Sequence, residues 1–289
     1  MLIMTISIRI GLIALLSLFG LHAMAQTEIK PFAVYGNGSN VFKLATGSPG
    51  ELGLLEKLGD AFGKKENAKM EWIKAGSGAS LNMLKNKQVD MIMVHAPEAV
   101  NKALAEGWAS NRTLIGSNEF YIVGPKSDPA KIKTARSGAD AYAKIAKAQV
   151  NFISRGDKSG THVKEMDIWK KADITPSGNW YIVTNDFMTA SLKRANDENA
   201  YFMTDSSTWV AEKAIAPKLE IQYRGDKFLV NTYDALVAPA GSTSGRDTAA
   251  KFVQFVASPE GQKIIHDYGK DKYPEPLYND AVYAKQYIY

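Results

Sequence analysis

Three strand-to-helix turns carry the residue types that hold a small anion. The richest is Ser154-Arg155-Gly156-Asp157-Lys158-Ser159-Gly160-Thr161, which follows the apolar run NFIS and opens the helical pattern THVKEMDIWKK. A helix start exposes unpaired backbone N–H groups and the positive end of the helix dipole. Ser159 and Thr161 add hydroxyls there, Gly160 lets a ligand reach the backbone, and Arg155 offers a two-pronged charged contact. Carboxylate, phosphate or a metal oxyanion all suit such a nest; the plainer reading is that Ser159 only caps the helix. The second turn is Ala45-Thr46-Gly47-Ser48-Pro49-Gly50, with Ser48 expected as the N-cap and Pro49 at the first helical position. The third is Ala75-Gly76-Ser77-Gly78-Ala79-Ser80, ahead of a helix expected over residues 81–87. The expected anion ligands are therefore Thr46, Ser48, Ser77, Arg155, Ser159, Gly160 and Thr161.

Other chemistries lack their residues. No G-x-x-x-x-G-K-[ST] occurs, and the glycines near Ser77 are too few for a dinucleotide fingerprint. The chain has no cysteine, which excludes disulfides, thiolate metal sites and Cys nucleophiles. Past the N-terminal segment the histidines are His95, His162 and His266. His162 and Glu165 can pair along a helix, but no third ligand lies nearby, so no metal is expected. His95 ends an apolar strand and reads as a structural histidine that could also face a cleft. Ser159 and His162 sit on one helix without a nucleophile elbow, so no catalytic residue, no cofactor and no enzyme activity are expected.

The elements that must position these turns alternate. Candidate strands cover residues 42–46, 70–75, 91–95, 120–124, 151–155, 181–184, 200–204, 219–224 and 235–238, rich in β-branched or aromatic residues and bounded by Gly, Pro, Asn or Asp. Helical spacing lies between them, as with Leu52, Leu55, Leu58 and Phe62. This alternation predicts an α/β protein with largely parallel sheets. The 289 residues amount to about two domain lengths, and no linker separates them, so strands are expected to join the two parts. A net charge of +5 without a basic block excludes a nucleic-acid arm. Residues 1–25 read as a signal peptide: Arg9, then the 12-residue apolar run IGLIALLSLFGL, then Ala23-Met24-Ala25. That run is shorter than the ~20 residues of a membrane span, which points to an exported, periplasmic protein.

SRGDKSGTHVKEMDIWKKADI, followed by NWYI, resembles the signature of periplasmic tungstate-binding proteins of ABC transporters. KQVDMIMVHAPEAVNKALAEGW, NEFYIVGPKSDPAKIK and TASLKRANDENAYFMTD resemble further stretches of that family, over residues 44–239. The resemblance implies a two-lobed, type II substrate-binding fold that holds a tetrahedral oxyanion between its lobes and delivers it to a membrane permease, with no nucleic-acid partner and as a monomer. Lobe one is expected at residues 26–118 and 228–289 and lobe two at 119–227, with crossings near Glu119-Phe120 and residues 228–231. The chain departs from the family at Thr46-Gly47-Ser48-Pro49-Gly50, where the family carries Thr-Thr-Thr-Ser. It departs again at Asn185-Asp186-Phe187-Met188-Thr189, in place of a Gly-rich turn, and at Thr204-Asp205-Ser206-Ser207-Thr208, which lacks an Arg. Oxyanion binding survives these changes; tungstate specificity does not follow from them. Arg155-x-Asp157-x-Ser159-Gly160-Thr161 also resembles phosphate-binding proteins, in which the Asp accepts a hydrogen bond from protonated phosphate. Phosphate, a small organic carboxylate held near Phe187, and a periplasmic sensor or accessory role are the alternatives.

Overall fold

Short apolar runs and amphipathic helices assemble into a mixed α/β structure, described for residues 29–287 by a computed structural model. The signal segment expected at residues 1–25 lies outside the described residues. The chain opens with β1 (Ala33–Tyr35), β2 (Asn40–Thr46), a one-turn α1 (Ser48–Glu51) and α2 (Leu54–Glu66). β3 (Ala68–Lys74), α3 (Ser77–Lys85), β4 (Met91–Val94) and α4 (Pro97–Ala105) follow. The 16-residue β5 (Ser110–Pro125) leads into α5 (Gly138–Ala148), β6 (Phe152–Ser154), α6 (Gly160–Lys171), β7 (Tyr181–Val183) and α7 (Met188–Asp197). Then come β8 (Tyr201–Asp205), α8 (Ser206–Glu212), β9 (Leu219–Tyr223), the returning β10 (Val230–Val237), α9 (Arg246–Ala257), α10 (Pro259–Asp267) and a short α11 (Ala281–Ala284).

β5 belongs to two sheets. Its first half pairs with β10, ending at Glu119 opposite Val230, and the first sheet runs β1-β3-β2-β4-β10-β5. From Phe120, opposite Asp205, it pairs with β8 and then β9, and β6 and β7 complete the second sheet. The two lobes are thus two sheets on one strand. The expectation of largely parallel sheets needs correction. β2–β3, β2–β4, β6–β7 and β6–β8 are parallel, while β1–β3, β4–β10, β5–β10, β5–β8 and β5–β9 are antiparallel. The reason is topological. Parallel neighbours come from strand–helix–strand crossovers, whereas β5 and β10 carry the chain out of one lobe and back and so run against their neighbours.

Each lobe has a core on both faces of its sheet, and the two-residue period of a strand divides them. Along β5, Phe120 and Ile122 pack with Tyr142, Phe152 and Trp169, while Tyr121 and Val123 face Met188, Leu192 and Phe202. Along β2, Phe42 and Leu44 pack with Phe62, Trp72 and Phe252, and Ala45 faces Ile92, Val94 and Leu236. One ionisable group lies in this packing. Glu165 of α6 is buried and accepts hydrogen bonds from Tyr181 OH at 2.7 Å and Trp169 Nε1 at 3.2 Å. Burial pushes its carboxyl up to about 7. A carboxyl whose folded value is raised binds more protons folded than unfolded, so stability falls as pH rises from its unfolded value, ~4.3, through about 7. Glu165→Gln keeps an acceptor and removes the titration. Relative to that variant, the wild type should lose about 1–3 kcal/mol between pH 4.5 and 7.5, read by urea unfolding at both pH values; parallel pH profiles of the two proteins would exclude a titrating Glu165.

Candidate functional site

The crossovers aim their helices at one point. In each of the turns after β2, β3, β6 and β7 the strand ends where a helix begins, and Gly47, Gly76, Ser159 and Phe187 are the residues immediately before α1, α3, α6 and α7. All four line one cavity between the lobes, together with Thr46, Ser48, Glu51, Ser77, Met93, His95, Arg155 and Tyr233. The cavity admits the centre of a water-sized sphere over about 20 Å³, just above the ~10–15 Å³ that a single water needs.

The donors are backbone and charge. Ser159 caps α6 by accepting from His162 N–H at 3.3 Å, which leaves the Gly160 and Thr161 N–H groups as the uncapped first-turn donors. Gly76 and Phe187 give no side-chain cap to α3 and α7, so the first-turn N–H groups of those helices lack a side-chain acceptor as well. Arg155, 4% exposed, is the one cation in the wall among the described residues. Its Nε donates to the Asp186 carbonyl at 3.1 Å and its Nη2 to Asp157 at 2.5 Å, which fixes the guanidinium and leaves Nη1 for the cavity. Asp157 is tied down in turn, because its other oxygen accepts from Ser159 N–H at 3.1 Å. Glu51 is paired with Lys74 at 2.6 Å, and Lys74 lies 4.4 Å over the Phe187 ring.

Of the residues expected from sequence, Thr46, Ser48, Ser77, Arg155 and Ser159 stand in the wall of this cavity. Gly160 and Thr161 lie behind Ser159 in the first turn of α6 and are not wall residues. Thr46 spends its hydroxyl on the Met93 carbonyl at 2.8 Å. Ser77 Oγ accepts from His95 N–H at 3.3 Å. Two caps shift by a few residues. Gly47, not Ser48, precedes α1, and α3 begins at Ser77 rather than Leu81, where the Ser77 hydroxyl accepts from His95 N–H and ties the helix start to the end of β4. His162 does not pair with Glu165: its Nδ1 accepts from Lys158 N–H at 3.0 Å. Among the described residues no group of His, Asp and Glu could hold a metal. Glu51, Met93 and Tyr233 are wall residues without an expectation from sequence, and His95, expected as a structural histidine that could also face a cleft, does face one. Only the ending of β4 at the cavity hinted at His95.

Glycines set the closeness of the lobes. A Cβ on Gly160 would stand 2.5 Å from the His95 ring, one on Gly78 would stand 2.8 Å from the Lys158 carbonyl, and one on Gly76 would stand 3.3 Å from Ser159 Cβ. The His95 ring is pinned by Asn231 at 2.9 Å and by Tyr233, 5.0 Å between ring centres, so it cannot swing aside. Gly160→Ala should therefore hold the lobes apart. The expected result is anion binding at least ~10-fold weaker with a circular-dichroism spectrum unchanged; a variant that binds as tightly as wild type would show that these surfaces do not meet when ligand is captured.

A model of the PBP superfamily domain matches residues 33–260. The tungstate-binding protein TupA of Peptoclostridium acidaminophilum is 33% identical over 267 residues, which cover 91% of this chain and 93% of that protein. Among solved structures, the tungstate ABC transporter protein from Geobacter sulfurreducens superposes with a TM-score of 0.72 at 38% identity, covering 80% of this chain and 100% of that one. The tungstate-binding protein from Desulfovibrio alaskensis superposes with a TM-score of 0.70 at 35% identity, covering 84% of this chain and 99% of that one. With a matching domain, a matching sequence over nearly its whole length and a matching structure, the chain belongs to the PBP superfamily and, within it, to the family of the periplasmic tungstate-binding proteins of ABC transporters.

Proposed function

We propose that this protein is the substrate-binding component of an ABC importer and captures a small tetrahedral oxyanion of the tungstate and molybdate class between its lobes. In this reading residues 1–25 export it to the periplasm and it acts as a monomer that hands its ion to a membrane permease. Residues 26–118 and 228–289 form one lobe and 119–227 the other. The observation that carries the reading is the meeting of the starts of α3, α6 and α7 with Arg155 at one cavity of about 20 Å³. In the proposed ligand set Thr46, Ser48 and Ser77 stand with Arg155 and Ser159 in the cavity wall, and Gly160 and Thr161 contribute backbone N–H groups from the first turn of α6; Thr46, whose hydroxyl donates to the Met93 carbonyl, has only its backbone to offer. Four or five hydrogen bonds to an ion at ~1.5–3 kcal/mol each, with helix ends at up to ~2 kcal/mol each, exceed the ~8 kcal/mol of micromolar binding. The surplus offsets ordering and lobe closure.

The setting of Asp157 favours a fully ionised oxyanion over phosphate. Both carboxylate oxygens are engaged, by Arg155 and by the Ser159 N–H, and Asp157 is not in the cavity wall. Lying outside the wall, it is not placed to accept from a protonated phosphate in the cavity, and its bond to Nη2 orients Arg155.

Calorimetry with sodium tungstate and sodium phosphate tests this. Wild type should bind tungstate in preference to phosphate. Arg155→Ala should lose ~1.5–3 kcal/mol, about 10- to 150-fold, with the fold intact. Asp157→Asn should change tungstate affinity by less than about tenfold. Tight phosphate binding that collapses in Asp157→Asn would reverse the assignment. Small-angle scattering should show a smaller radius of gyration with saturating tungstate than without it; superimposable curves at proven occupancy would refute closure.

A further inference from the structure

His95 is the cavity residue whose chemistry the proposed ligand set leaves unused. It directly follows β4, is half-buried, and lines the cavity. A buried chain of hydrogen bonds running across both lobes fixes its ring. Asp205, at the end of β8, accepts from Thr208 N–H and Thr208 Oγ1, both at 2.9 Å, and from Asn118 Nδ2 at 3.2 Å. Asn118 Nδ2 also donates to Ser207 Oγ at 2.8 Å, and Ser207 Oγ donates to the Leu277 carbonyl. With its nitrogen so engaged, Asn118 turns its oxygen to Asn231 Nδ2 at 2.7 Å. Asn231 then has only its own oxygen for His95 Nδ1, at 2.9 Å. An oxygen acceptor there requires the proton on Nδ1. The neutral ring therefore keeps its lone pair on Nε2, the nitrogen left for the cavity.

We propose that His95 is a further anion-binding residue and that a captured dianion makes it take up one proton at Nε2, so that it donates to the ion as an imidazolium. This rests on the oxyanion-binding reading above. The charges already in place motivate it. Arg155 is partly neutralised by Asp157 and Glu51 is paired with Lys74, so a dianion enters a cavity whose ionised neighbours nearly cancel. A buried charge needs a partner, and Nε2 is where one can be made. The groups around the ring together favour its neutral form. Burial, Arg155 and Lys164 lower its value to about 4, and the Asn231 bond and Asp157 oppose them. The start of α6 at Gly160 also disfavours a cation, while Ser77, Phe120 and Tyr233 complete the contacts without charge. An anion reverses the balance. One unit charge at ~4 Å with an effective dielectric near 20 raises proton affinity about a thousandfold. Two unit charges exceed the thousandfold that separates a pKa of about 4 from neutral pH. Binding and protonation are then linked, and each strengthens the other.

The mature full-length chain should be titrated with sodium tungstate at pH 7.5, in buffers of different ionisation enthalpy. Wild type should take up close to one proton per ion bound. His95→Gln should bind at least ~10-fold more weakly and take up none, while His162→Gln should keep the uptake. Histidine-15N NMR of wild type gives a second reading independent of any variant. One imidazole should pass from a single Nδ1–H to both nitrogens protonated at saturation, and few histidines compete for the assignment. Binding by wild type without proton uptake, or uptake that persists in His95→Gln, overturns the role of His95 and leaves the oxyanion function standing. A wild type that binds neither tungstate nor molybdate overturns both.

Discussion

The structure is organised around a repulsion. Helices α3, α6 and α7 direct their starts at the same small space, and each start carries the positive end of a dipole and N–H groups without intrahelical acceptors. Buried donors of this kind are costly when unpaired. The lobes bring mainly donors, backbone N–H groups and serine hydroxyls from the first and Arg155 and backbone N–H groups from the second, while the Glu51 carboxylate in the wall is held by Lys74. An anion is the one kind of group that satisfies both sides at once. A ligand that accepts from both sides adds contacts that only the closed arrangement makes, which is the condition for a ligand to shift a conformational equilibrium.

The mixed sheet follows from this division of labour. The parallel strands β2, β3, β6 and β7 end at the cavity and hand their chains to helices, as ligand sites of open α/β sheets form beyond the carboxyl ends of strands. The antiparallel strands β5 and β10 do something else. They tie the lobes together, change partners at Glu119 and Phe120, and carry Asn118 and Asn231 at the crossing. Those two amides link Asp205 of one lobe to His95 of the other. A polar chain of this kind, buried and satisfied at every member, holds a single geometry, because any slip strands a donor or an acceptor. The close approach of the lobes at Gly160, Gly78 and Gly76 depends on that geometry as much as on the missing side chains.

What could be read from sequence was what local spacing encodes. The turn through Ser159 was legible because an apolar strand, a Gly-containing polar loop and an amphipathic helix follow within a few residues, and Ser159 both caps α6 and borders the cavity. The central strands were legible as short apolar runs, being buried on both faces. The first half of β5 was not. Its residues Ser110 to Glu119 are largely polar, and they form a strand because β10 supplies backbone partners and the buried amide chain satisfies Asn118. The start of α3 was misplaced because Ser77-Gly78-Ala79-Ser80 has poor helix propensity; tertiary contact with β4, including the Ser77 bond to His95 N–H, overrides it. His95, Tyr233 and Glu51 belong to the site only through pairings far apart in the chain, which spacing does not encode.

The altered first loop bears on selectivity in a definite way. Where the resembling family has a run of hydroxyls, Gly47 and Pro49 bring none, Pro49 also lacks an N–H, and Thr46 has its hydroxyl proton committed to the Met93 carbonyl. In the proposed ligand set the first lobe is then left with Ser48, Ser77, backbone donors and His95. Hydroxyl donors can turn to suit an anion that is protonated or not, since each can also accept. Arg155 and backbone N–H groups cannot accept, so they favour the anion with the most negative charge on its oxygens. Replacing rotatable hydroxyls by fixed donors therefore moves discrimination away from the pattern of hydrogen bonds and onto two physical quantities, the charge of the ion and its fit to a cavity of about 20 Å³. Both select compact dianions as a class, and between members of that class only size remains to separate them.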